Sequence, residues 1–190
     1  MPDGGARARL LAARQGAAAQ AIATESVFHQ ARVLLLIDAF SGRSRGMRGM
    51  ARMARLDYLL RFPMVLDYMD LDGVSGWPAG AATLQAERHA TDVAFAGSRY
   101  GLWTDRYVLI TGALIGKQLV TLVPGNIVEP VATRTGQSAA HQLAQADEWA
   151  RTRLRAEYLR SRLNVSAARL DQLLRPAIGR METDLLKARP

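Results

Sequence analysis

The chain is 190 residues long, 49% hydrophobic, 22% charged and only 6% aromatic, a composition that fits one packed domain and lies outside the range of disordered, collagen-like or mucin-like chains. It has no Cys, which excludes disulfide frameworks, thiol nucleophiles, Fe–S clusters and cysteine zinc sites. Its 25 Lys and Arg against 17 Asp and Glu give a formal charge of +8, and all the basic residues except Lys117 and Lys187 are arginine, a side chain that binds carboxylate and phosphate bidentately.

Residues 1–23 carry Arg7, Arg9 and Arg14 among alanines, with Leu10 and Leu11 as the large aliphatics of the stretch to Gln20. That is no apolar core of a secretory signal, so a partly disordered or helical extension is expected. No segment reaches the roughly 18 apolar residues that span a bilayer, and the expected location is the cytoplasm. From Thr24 to Phe40, Val27, Phe28, Ala31, Leu34, Leu35 and Ala39 recur at helical spacing, and the apolar run Val33–Ile37 places this helix at the centre of the core. Ser41 to Gly46 reads as a loop. Met47, Met50, Met53, Leu56, Leu59 and Leu60 predict a second helix ending at Pro63, with Arg48, Arg52 and Arg55 on its opposite face.

An acidic surface connection is expected near residues 64–92, with one helical turn about Val65–Met69 and a short helix from about Thr83 to Asp92. A further helix starts at Thr104 or Asp105 and buries Tyr107, Ile110, Leu114 and Ile115. Leu119–Val123, the turn Pro124-Gly125-Asn126 and Ile127–Thr135 predict a β-hairpin. Thr135 would cap a helix running past Trp149 to about Leu163. A last helix begins at Ser166 and passes Pro176, where a kink is expected. The fold class is therefore mainly α: a winged helix-turn-helix core over 24–140 with one β-hairpin wing, followed by long C-terminal helices over 141–190.

The resemblance sharpens in the residues. Ala31-Arg32-Val33-Leu34-Leu35-Leu36, then Ala54-Arg55-Leu56-Asp57-Tyr58-Leu59-Leu60-Arg61-Phe62-Pro63, then Arg99-Tyr100-Gly101-Leu102-Trp103 and Leu119-Val120-Thr121-Leu122-Val123-Pro124-Gly125 occur in this order. The succession resembles the middle component of bacterial ABC three-component, or Lamassu-type, anti-phage defence systems, over roughly residues 27–140. The family usually has Lys where Arg55 stands and Pro after the Trp, where this chain has Thr104. The resemblance implies a non-enzymatic adaptor that links an SMC-like ATPase to a nuclease effector, with no catalytic residue, metal or cofactor of its own. Residues 1–23 and 165–190 match nothing in the family.

Read as chemistry, the residues agree with a binding role. Asp57 stands four residues before Arg61, the favourable order for an intrahelical ion pair, and is read as structural. The Met47, Met50, Met53 stripe is read as core, and His29 and His141 as structural or surface histidines without a neighbouring nucleophile. The glycine-containing loops follow no predicted strand and lead into no Lys-Ser or Lys-Thr, which argues against a phosphate loop. The helix after Thr104 is too apolar to read bases, and the hairpin tip is apolar and acidic, so the winged domain is expected to bind protein. Leu102, Trp103, Ile127 and Val128 are the partner-binding candidates. Two basic faces, Arg43, Arg45, Arg48, Arg52 and Arg55, and Arg151, Arg155 and Arg162, are open to acidic protein, to non-specific contact with nucleic-acid backbone, or to solvent alone. The alternative from another class is a winged-helix transcriptional regulator.

Overall fold

The structure, a computed structural model, describes residues 26–41, 47–71, 76–88 and 106–187. It is mainly helical with one small antiparallel sheet. Helix α1 covers residues 26–40, and its residues from Arg32 to Ile37 are buried without a break. A helix apolar on every side is stable only with neighbours on every side, and α1 has them. Its Arg32 bonds to the second helix and its Asp38 to Arg153, while Ser41, just past its end, caps the Ile37 carbonyl and accepts the Ala132 N–H of the sheet.

Helix α2 is Met50–Arg61. Gly49 precedes it with φ +85°, in the left-handed region that favours glycine, and its N–H donates to the Val128 carbonyl at 3.1 Å. A Cβ at Gly49 would come within 3.0 Å of the Ile127 side chain, so the start of α2 and the hairpin tip approach closely here. Pro63 ends α2 and opens α3, Met64–Asp67. The expected surface connection is corrected at this point. Met64, Val65, Leu66 and Met69 are buried, because the turn at Pro63 folds the chain back into the core before it reaches the surface. Trp77 Nε1 donates to the Pro63 carbonyl at 2.7 Å and fixes that turn. Helix α4 is Gln85–Arg88; residues 89–92 of the expected helix lie outside the described residues.

Helix α5, Arg106–Gly116, runs into the hairpin of β1, Val120–Val123, and β2, Glu129–Ala132, with Val120 opposite Ala132 and Val123 opposite Glu129. The expected helix caps at Thr104 and Asp105 lie outside the described residues. Ile115, expected in the core, is 37% exposed. The buried face is Tyr107, Ile110, Thr111 and Leu114, at spacings of three and four, and Ile115 falls one step beyond it.

The expected single helix from Thr135 to Leu163 is two helices, α6 (Arg134–Ala144) and α7 (Asp147–Arg162). Thr133, not Thr135, caps α6, with its Oγ1 accepting the Gly136 N–H at 3.0 Å. The break falls where Ala146 is extended and Asp147 and Glu148 occupy the first turn of α7, favourable places for acids at a new helix start. Helix α8, Ala167–Lys187, starts after Ser166, whose Oγ caps Arg169 N–H, and contains Pro176. It packs on α2 and α3, and α7 packs on α2 and α6. One hydrophobic cluster runs from Val33 to Met181 and is continuous across residue 140, with Trp149, Leu159, Leu170 and Ile178 in it.

Candidate functional site

The centre of the molecule holds a charged network. Asp57 of α2 is fully buried, and Arg32 of α1 meets it with both ends of its guanidinium, Nε to Oδ1 at 2.6 Å and NH2 to Oδ2 at 2.9 Å. Tyr107 of α5 donates its hydroxyl to Oδ2 at 2.7 Å. Three helices are thus tied at one carboxylate. Burial alone would raise the Asp57 carboxyl; the Arg32 charge, the hydrogen bonds from Arg32 and Tyr107, and the Arg61 charge together hold it below its ordinary value. Burial works against the Arg32 charge as well, and Asp57 overcomes it. The Tyr107 hydroxyl is pushed up by burial and then by the carboxylate beside it. Asp57 is structural, as expected, but its partner is corrected. No ion pair within 4 Å joins it to Arg61, because Arg32 and Tyr107 already occupy its oxygens.

The arginines expected on two open basic faces have definite places. Arg55 makes a bidentate pair with Asp171 of α8, at 2.7 and 2.6 Å, which holds the Asp171 carboxyl below its usual range. Arg52 is buried, with its guanidinium over the Phe40 ring at 5.2 Å and a bond to Asn164 between α7 and α8. Burial, and then the neighbouring Arg48 charge, lower its pKa. Arg48 meets Glu129 at 3.1 Å, half-exposed. Arg155 is buried, donates to the Ala81 and Ala82 carbonyls and to Glu87, and lies over the Trp77 ring at 5.3 Å. It fastens the 76–88 segment to α7. Arg151 is half-buried and Arg162 exposed; Arg43 and Arg45 lie outside the described residues.

Of the partner-binding candidates, Leu102 and Trp103 also lie outside the described residues. Ile127 and Val128 are exposed at the hairpin tip beside Gly49, and Leu122 and Val123 of β1 are exposed with them. The sequence reading missed a second exposed apolar surface. The outward side of α5 presents Val108 (59% exposed), Leu109 (72%), Gly112, Ile115 and Gly116, none of which carries a charge or a hydrogen-bonding side chain. The signal was present, since these are the positions left over once Tyr107, Ile110, Thr111 and Leu114 are turned inward. A separate apolar groove of about 440 Å3 opens between α1, α5, α6 and α7, floored by Leu34 and Leu114, with Trp149 at its rim 4.8 Å from Phe28.

Among the described residues no group of three His, Asp or Glu is placed to hold a metal ion, and no helix is long and apolar enough to cross a membrane. His141 is exposed on α6, and His29 Nδ1 accepts from Arg32 NH1 at 3.0 Å; His89 lies outside the described residues. No protein-family model matches the chain, and neither a curated protein nor a solved structure gives a match.

Proposed function

We propose that this protein is the non-enzymatic middle subunit of a multi-protein anti-phage defence complex. In this reading its α5–hairpin region is the helix and wing of a winged helix-turn-helix domain turned to protein recognition, and it holds a nuclease effector in place relative to an SMC-like ATPase. The observation that carries the reading is the uncharged outward face of α5. A groove-reading helix presents Arg, Lys, Asn or Gln to base edges and phosphates; this one presents Val108, Leu109 and Ile115, with Gly112 and Gly116 on the same side. An exposed apolar helix face has the character of a protein interface centre, and the hairpin tip offers a second exposed apolar patch. The motif succession from Ala31 to Gly125 supports the choice of complex.

Gene neighbourhood offers the first check: a large coiled-coil ATPase gene beside this one is expected, whereas an isolated divergent promoter would favour the transcriptional regulator. The direct test is co-purification with that ATPase. Val108→Asp with Leu109→Asp, and separately Ile127→Asp with Val128→Asp, should abolish it while far-UV circular dichroism is unchanged. All four side chains are already solvent-exposed, so the fold tolerates the change. Retention of the ATPase by both double variants would remove this surface from the interface.

A further inference from the structure

The end of α2 and the start of α5 enclose a small recess lined by His29, Arg32, Asp57, Arg61, Arg106 and Tyr107. Three guanidiniums line it and one carboxylate forms its floor. That carboxylate is already engaged, since the two Asp57 oxygens accept both ends of Arg32 and the Tyr107 hydroxyl. Arg32 and Asp57 cancel; of the two cations that remain, Arg106 is engaged elsewhere, and the charge of Arg61 is left over. Among the described residues Arg61 has no carboxylate within 4 Å. It is half-buried, and its guanidinium lies 5.1 Å from the centroid of the buried Phe62 ring, a contact that holds a cation in one orientation before any ligand arrives.

We propose that this recess is a carboxylate socket, which receives an Asp or Glu side chain of the protein partner and binds it through Arg61. The inference rests on the reading of the α5 face as a partner surface and adds to it the chemistry of the partner. The recess is shallow: its free volume is about 10 Å3, barely the space of one water, so a single oxygen enters it and the rest of the group stays at its mouth. Guanidinium and carboxylate match as planar forks, and the pairing is strongest where water is partly excluded. Position selects the carboxylate, the anionic group that a protein partner on the α5 face can offer. Arg106, on the α5 side of the recess, stands two residues before Val108 and Leu109 at the head of the exposed apolar stripe. The partner segment that lies along α5 is therefore apolar with an acidic residue at the end that meets Arg61.

Propionate is the probe, titrated into the full chain while the arginine Nε–H resonances are followed by NMR, with Arg61 assigned by its loss in Arg61→Gln. The Arg61 signal should saturate at a propionate concentration about tenfold below that needed to move exposed arginines such as Arg160 and Arg162, the effect of one additional charge-assisted hydrogen bond. Inorganic phosphate should not saturate it at lower concentration. An Arg61 signal that responds no more than the exposed arginines overturns the socket, and tighter saturation by phosphate overturns the choice of carboxylate. The titration needs no partner, so its failure leaves the docking surface to be decided by the Val108 and Leu109 variants.

Discussion

At the scale of the residue, the Arg32–Asp57–Tyr107 network is the place where single atoms matter most. Both charges are buried, so neither tolerates loss of the other. Asp57→Asn should cost about 3–5 kcal/mol in urea unfolding, because it strands the Arg32 cation. Tyr107→Phe, which removes one hydrogen bond to a charged acceptor, should cost about 1.5–3 kcal/mol. The paired change Arg32→Met with Asp57→Leu should be more stable than Asp57→Asn, since an apolar replacement carries no desolvation penalty. A double variant less stable than the single one would refute that ordering. The pH dependence has a definite sign. The folded Asp57 carboxyl is held below its unfolded value, so its contribution is complete above about pH 4 and is lost as pH falls through the lowered folded value. Glu87 and Asp171 are shifted in the same direction, by Arg155 and Arg55. Acid unfolding should therefore be steep below about pH 4, and shallower in the Arg32→Met, Asp57→Leu variant. The structural role of Asp57 was legible in the sequence, and its partner was not. Local spacing offers Arg61 four residues away, while Arg32 is 25 residues distant and is brought in only by the packing of α1 on α2.

At the scale of the element, periodicity was a sound guide to which segments are helical and which face turns inward, and a poor one to where chemistry ends them. Thr133 and Thr135 are equally good caps on paper; Thr133 is selected because its hydroxyl also reaches the Gln118 carbonyl at 2.7 Å and ties α6 to the end of α5. Thr133→Ala should lower stability by about 1 kcal/mol or somewhat more, as for other caps, while Thr135→Ala should be nearly silent. Equal effects of the two would contradict the assignment of the cap. Two residues after α5, Gln118 adopts φ +58°, where a side chain is strained and glycine is not. Gln118→Gly should raise stability by about 1 kcal/mol, read as a higher urea midpoint at unchanged slope. The same limit explains the arginines expected on the second helix. Spacing puts Arg48, Arg52 and Arg55 on one helix face, but α2 begins only at Met50, so Arg48 precedes it, and only tertiary structure reveals that α8 and the α7–α8 junction cover Arg55 and Arg52.

At the scale of the whole molecule, a formal charge of +8 is not a measure of surface available to nucleic acid. Arg32, Arg55, Arg153 and Arg155 are each tied to a carboxylate within the fold, and Arg52 is buried against Phe40. Reversing Arg52 or Arg55 would therefore damage the packing of α8 and α7 on α2 before it reported on any ligand. Arg160 and Arg162, exposed near the end of α7, are the sounder probes. We expect the isolated chain to bind duplex DNA weakly and without sequence preference. The slope of log affinity against log salt should be small, and should become shallower by about 0.9 for each phosphate contact removed by Arg160→Glu or Arg162→Glu. A regulator would behave otherwise, since specific sites exceed non-specific DNA by roughly a thousandfold or more and each wrong base pair costs about 1–3 kcal/mol. Discrimination on that scale needs side chains that reach base edges, and the outward face of α5 offers Val108, Leu109 and Ile115. Selection from random duplexes should thus enrich no motif, and recovery of one sharp palindromic site would overturn the subunit reading in favour of the regulator.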